Sequence, residues 1–73
     1  MLKDIPAEMV GNVMKVVVKP GDIVEAGAMV VILESMKMEI PVLSDYAGTV
    51  VELRVGEGDH VQEGAVLAKI EVA

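Results

Sequence analysis

The sequence contains no cysteine, no tryptophan and no phenylalanine. Without cysteine there is no disulfide framework and no thiolate metal site. Tyr46 is the only aromatic residue, so the core is left to Val, Ile, Leu, Met and Ala. His60 is the only histidine, which excludes a histidine cluster for metal, and no metal site is expected. Positive charge is also scarce. Six Lys and Arg face twelve Asp and Glu, a formal net charge of −6. Nucleic-acid binding needs positive potential and usually stacking aromatics, so no nucleic-acid partner is expected. The run of large apolar residues over 29–33 is far too short to cross a membrane. The first residues carry no apolar signal core, and a cytoplasmic protein with no membrane partner is expected. With 73 residues, the chain reads as one small domain over 1–73.

What the sequence does contain is an internal repeat. Shifted by 37, it matches itself without a gap: of the 24 positions 11–34 set on 48–71, 9 are identical. They include Gly11 on Gly48, Val18 on Val55, Gly21-Asp22 on Gly58-Asp59, Gly27-Ala28 on Gly64-Ala65 and Glu34 on Glu71. Six of the remaining 15 exchange one apolar residue for another. Two copies are too few for a solenoid. They predict two halves closing on each other about a pseudo-two-fold axis.

The local pattern is β. Valine is abundant, a helical period is missing, and Gly or Pro interrupts every few residues. Strands are expected over 2–6, 11–18, 22–25, 29–35, 38–43, 48–55, 59–62 and 66–71. Alternation directs Met14, Val16 and Val18 inward, with Lys15 and Lys19 outward. In the second copy it directs Val51, Leu53 and Val55 inward, with Glu52 and Arg54 outward. Val66, Ala68 and Ile70 likewise face in, and Lys69 and Glu71 face out. Val13 and Val50 are apolar in the wrong phase, which predicts a bulge beside each preceding glycine. The glycines at 21, 27, 58 and 64 are read as turn residues with positive φ, since the repeat duplicates each of them. Eight short strands with polar turns make a small all-β sandwich or flattened barrel.

One segment, 35–41, has no second copy. Lys37 sits at the midpoint, and the shift of 37 carries it to 0 or 74, just beyond either terminus. Both termini are therefore expected at one end of the molecule and Lys37 at the other. Lys37 would lie in a hairpin joining strands 29–35 and 38–43. A two-residue hairpin favours Asn-Gly or Gly-X at its corner, yet this corner is Met36-Lys37. A local rule broken at one place marks a candidate functional site. The bland alternative is that Met36 and Met38 are core residues and Lys37 a solvated turn lysine.

The residues Glu34-Ser35-Met36-Lys37-Met38-Glu39 resemble the E-(A/S)-M-K-M motif of the biotin carboxyl carrier family. The glycine and valine pattern of both halves resembles biotinyl and lipoyl domains over nearly the whole chain. The resemblance implies a barrel-sandwich hybrid, a flattened β-barrel of two four-stranded antiparallel sheets with quasi-two-fold symmetry. It implies that Lys37 takes biotin through an amide bond. Met36 and Met38 are then the flanking residues that the ligase and partner enzymes recognise, and Glu34 is the motif acid. Some carriers of this family have a thumb insertion after the second strand. Here Val16-Val17-Val18-Lys19-Pro20-Gly21 leaves no room for one. The resemblance is therefore closer to thumbless carriers of pyruvate, propionyl-CoA or methylcrotonyl-CoA carboxylases, and to single-domain attachment proteins. It is compatible with a free-standing protein or with a piece of a larger carboxylase.

A lysine amine is protonated at neutral pH and does not acylate itself. It needs an activated acyl donor and a catalyst that takes its proton. By resemblance that catalyst is biotin protein ligase, acting on biotinyl-adenylate. The carrier itself is expected to be non-catalytic. It would present biotin, whose ureido nitrogen carries carboxylate, first to a biotin carboxylase and then to a carboxyltransferase. Asp22, Asp59 and His60 lie in turns with no nucleophile nearby, and His60 aligns with Ile23, so His60 is read as structural or solvated. A lipoyl carrier on the same fold is the alternative, although lipoyl domains usually place Asp before the lysine and Ala after it. A small attachment protein accepting both biotin and lipoate combines the two. An unmodified structural hairpin-sandwich module has no need of a Met-Lys-Met corner.

Overall fold

A computed structural model describes residues 1–72. The chain forms eight strands in order: β1 (Leu2–Pro6), β2 (Gly11–Val16), β3 (Ile23–Val24), β4 (Met29–Ser35), β5 (Met38–Leu43), β6 (Gly48–Leu53), β7 (His60–Val61) and β8 (Val66–Glu71). They make two four-stranded antiparallel sheets, ordered β1-β8-β6-β3 and β5-β4-β2-β7. Advancing each strand of the first sheet by half the chain reproduces the second sheet in order. The halves thus exchange strands rather than stack side by side.

The backbone bonds outside the ladders repeat the same relation. Val13 N–H donates to Asp59 O at 2.7 Å, and Val50 N–H donates to Asp22 O at 2.8 Å. Gly58 N–H donates to Val13 O at 2.8 Å, and Gly21 N–H to Val50 O at 2.7 Å. Each turn is therefore fastened to the opposite half. Between the sheets, Val, Leu, Ile and Ala side chains form one core, with Val30, Val31, Val50, Leu67, Ala68 and Ile70 fully buried.

The predicted bulges are present, and they correct the face assignment. Register shifts between Val13 and Lys15, and again between Val50 and Glu52. Met14 and Val51 are the extra residues, so they turn outward, 44% and 47% exposed, although alternation directed them inward. Val13 and Val50 take the core positions. A second pair of shifts falls between Met29 and Val31 on β4, and where Ile5 and Pro6 face Ala68 and Val66. These leave Val30 and Leu67 as extra residues, both fully buried, whereas Val66, expected inward, is only half-buried. A strict period of two does not survive a position where two residues oppose one.

Strands β3 and β7 are two residues each rather than four. Asp22 and Asp59 are held in the preceding turns: Lys19 N–H donates to Asp22 Oδ2 at 3.0 Å, and Gly56 N–H to Asp59 Oδ2 at 2.8 Å. Strands β2 and β6 stop at Val16 and Leu53, two residues short of expectation. Beyond them, Val17 N–H donates to Val30 O and Arg54 N–H to Leu67 O, at the bulged residues. The turn glycines behave as read: Gly21, Gly27, Gly58 and Gly64 have φ between 89° and 98°.

The two ends of the molecule follow from the axis. The Met1 amine donates to Val72 O at 2.9 Å, and Val72 N–H to Met1 O at 2.8 Å, which brings the described chain ends together. The β4–β5 hairpin forms the opposite tip of a body 36 Å long and 17 Å across.

Candidate functional site

Strands β4 and β5 pair up to Ser35 opposite Met38, leaving two residues, Met36 and Lys37, for the corner. Among two-residue turns that follow the strand twist, type I′ has positive φ at both central positions. Met36 and Lys37 adopt it, at φ 53° and 65°. They are the only non-glycine residues with positive φ among the described residues. Holding an L-residue there costs about 1–3 kcal/mol, so the tip stores strain that the hairpin ladder below must offset. Replacing Met36 with Asn, which tolerates this conformation, is expected to raise stability by about 1 kcal/mol. A lower melting temperature for Met36→Asn would show that the methionine is not strained.

The methionines are not core residues. Met36 is 90% exposed and Met38 is 60% exposed. The chain therefore leaves two large apolar side chains in water on either side of an exposed lysine. Lys37 has neither an ion pair nor a side-chain hydrogen bond among the described residues. Other cations are engaged. Lys69 Nζ meets Asp4 Oδ1 at 2.7 Å and is only 22% exposed, Lys19 faces Asp22 at 3.8 Å, and Lys3 lies 5.7 Å from the Tyr46 ring centre. Lys15 is exposed, but it stands on strand β2 rather than at a tip.

The root of the hairpin is set by Gly11. A Cβ on Gly11 would lie 2.8 Å from Glu34 O and 3.5 Å from Ser35 Cβ, so only glycine lets β2 close on the last turn of β4. Glu34 is exposed and directly opposite Glu39 on one side and Asn12 on the other. Asn12 in turn is opposite His60, whose Nδ1 is 2.9 Å from Asn12 Oδ1. A row of exposed polar residues (His60, Asn12, Glu34 and Glu39) therefore crosses the sheet just below the tip. Neither Glu39 nor Asn12 stands out in the sequence by local pattern. The hairpin register about Lys37 contained the signal for Glu39, whereas Asn12 and His60 join only through long-range pairing. Two like charges opposite each other, as at Glu34 and Glu39, do not stabilise a sheet. With an unpaired lysine nearby, they make a tip that is acidic at its base and cationic at its apex.

The sequence profile of a biotin/lipoyl family, described as biotin-requiring enzyme, matches residues 3–70. The chain belongs to this family. Among similar proteins, the biotin/lipoyl attachment protein of Bacillus subtilis is 54% identical over 63 residues, which are 86% of each chain. A biotinylated protein TB7.3 homolog of Mycobacterium leprae is 49% identical over 70 residues, 96% of this chain and 99% of that one. Among solved structures, the urea carboxylase of Kluyveromyces lactis superposes with a TM-score of 0.91 at 35% identity, over 97% of this chain. A single-chain, multi-domain long-chain acyl-CoA carboxylase gives a TM-score of 0.92 at 29% identity, over 99% of this chain. The chain spans only 6% and 7% of those two carboxylases. The biotin/lipoyl fold, a flattened barrel of two four-stranded sheets, is thus the fold of this chain.

Proposed function

We propose that this chain is a non-catalytic biotin carrier and that biotin is attached to the ε-amine of Lys37. The observation that carries this reading is the hairpin tip: an unpaired, exposed lysine on strained backbone between two exposed methionines. Family membership and the relatives named for biotin support biotin as the group carried. The residues fit it, since attachment requires a free amine with clear space around it, and the tip offers both. In attachment, the neutral Lys37 nitrogen attacks the acyl carbon of biotinyl-adenylate. A C–N bond forms, the acyl–phosphate bond breaks, AMP leaves, and the nitrogen gives up a proton to a base on the ligase. Attached biotin supplies a ureido nitrogen that takes up and releases carboxylate in the sites of a biotin carboxylase and a carboxyltransferase.

The chain's own contribution is position. The strained corner holds Lys37 at the tip, the ladder below keeps that tip rigid, and uncharged Met36 and Met38 leave it free to enter a partner's cleft. Glu34 and Glu39 supply the negative charge at its base that a basic partner rim would meet. Tethering then raises the local concentration of the carried group at both partner sites. A lipoyl group on the same lysine is the second reading, favoured by the similarity to a biotin/lipoyl attachment protein.

Intact-mass spectrometry separates the two. The chain is incubated with biotin protein ligase, biotin and ATP, and separately with a lipoate ligase, lipoate and ATP. A gain of one biotinyl group per chain is expected in the first reaction. A gain only in the second reaction would move the chain to acyl-group transfer, and no gain in either would remove the carrier reading.

A further inference from the structure

We propose that a groove beside β7 is a resting site for the ureido head of the group carried on Lys37; this rests on the carrier reading above. The groove has a volume of about 550 Å³, and its lining includes Arg54, His60, Gln62, Ala65 and Val66. It lies in the Lys37 half of the molecule. Val61 of β7 is paired with Gly11, which abuts Ser35 at the hairpin root. Two strand spacings separate β7 from β4, roughly 10 Å. A lysine joined to the five-carbon acyl chain of biotin is an arm of about ten bonds near 1.5 Å each, which spans that gap even when zigzagged.

The internal symmetry supplies a control within the molecule. Arg54, His60, Gln62 and Val66 correspond to Val17, Ile23, Glu25 and Met29 in the other half, at the end away from Lys37. Both sets occupy equivalent places on the same fold, with the same backbone bonds from Val17 to Val30 and from Arg54 to Leu67. The fold therefore accepts Val and Ile where Arg54 and His60 stand. Ile23 is 83% exposed, so its counterpart His60 is not required for packing. Donors and an imidazole are confined to the groove on the lysine's side.

The chemistry of the lining matches a cyclic urea, which has one carbonyl acceptor, two N–H donors and an apolar fused ring. His60 Nδ1 lies 2.9 Å from Asn12 Oδ1, and in the neutral tautomer that donates Nδ1–H to this oxygen, Nε2 is the acceptor a ureido N–H requires. Arg54 is half-exposed and holds Glu52 through one nitrogen at 3.2 Å, leaving other N–H groups to donate to the ureido carbonyl. Gln62 adds an amide, and Ala65 and Val66 offer apolar contact.

The test compares amide spectra of the unmodified chain with those of the chain carrying biotin, modification being checked by mass. The proposal expects shifts at Gln62, Ala65 and Val66 and in the His60 ring, in addition to those at the hairpin. Replacing Arg54→Val and His60→Ile together installs the residues the other half already carries. In this biotinylated variant the shifts at Gln62, Ala65 and Val66 should vanish while those at the hairpin remain. A biotinylated parent with shifts confined to the hairpin would overturn the resting site and leave the carrier reading intact. Groove shifts that persist in the variant would also overturn it. Failure to gain mass would remove the carrier reading, and the resting site with it.

Discussion

Alanine at Gly48 is expected to destabilise the chain by about 3 kcal/mol or more, a large part of the stability of a domain this size, about 4–11 kcal/mol. A Cβ there would overlap the Glu71 carbonyl oxygen and lie 2.9 Å from its carbon and 3.0 Å from Ile70 Cγ2. The obstacle is backbone, so no rotamer change relieves it. Nor can β8 retreat, because it is paired on both sides, to β1 and β6, and its Ile70 is fully buried. The symmetry-related Gly11→Ala meets Glu34 O at 2.8 Å and should cost less, while disturbing the hairpin root. Gly56 has nothing within 4 Å of such a Cβ and no positive φ, so Gly56→Ala should fall within about 0.5 kcal/mol of the parent. Urea unfolding followed by circular dichroism gives the order: Gly48→Ala least stable, then Gly11→Ala, with Gly56→Ala near the parent. A Gly48→Ala chain as stable as the parent would contradict the close approach of β6 and β8.

The second large effect is chemical. Lys37→Arg should abolish biotin incorporation while leaving the fold unchanged. Arginine keeps the charge, the exposure and most of the length, and its backbone can occupy the same corner at a similar cost. Its guanidinium stays protonated and is not a nucleophile toward an acyl-adenylate. Lys15 and Lys69 remain in the variant, but Lys69 is held by Asp4 at 2.7 Å and Lys15 stands along a strand rather than at a tip. Biotin incorporation into Lys37→Arg equal to the parent's would show that the tip is not the attachment point. A changed unfolding midpoint would show that Lys37 matters for packing.

The architecture was legible because the repeat is a statement about symmetry. A gapless shift of 37 places the turns at Gly21-Asp22 and Gly58-Asp59 and Lys37 opposite the chain ends, and the off-phase Val13 and Val50 mark the bulges. What alternation missed has one cause. Met14 and Val51 turn out, and Val30 and Leu67 turn in, because each sits where two residues face one and the period of two loses count. The short β3 and β7 reflect aspartate side chains that cap the turns before them, a competition that strand propensity does not contain.

The site was legible for a different reason. Segment 35–41 is unrepeated, and its corner lacks the residues a tight hairpin prefers, so the anomaly was visible before the left-handed backbone was. The exposure of Met36 and Met38 was not, because apolar side chains are buried more often than not and only the geometry of the tip decides. The row of His60, Asn12, Glu34 and Glu39, and the groove beside it, depend on pairing between distant strands and lie beyond local pattern.

The most direct test of the central claim is fragment-ion sequencing of the peptide labelled by biotin protein ligase on the unaltered chain. A single biotinyl group on Lys37, between unmodified Met36 and Met38, is the expected result. A biotinyl group on Lys15 or Lys69, or one spread over several lysines, would contradict it.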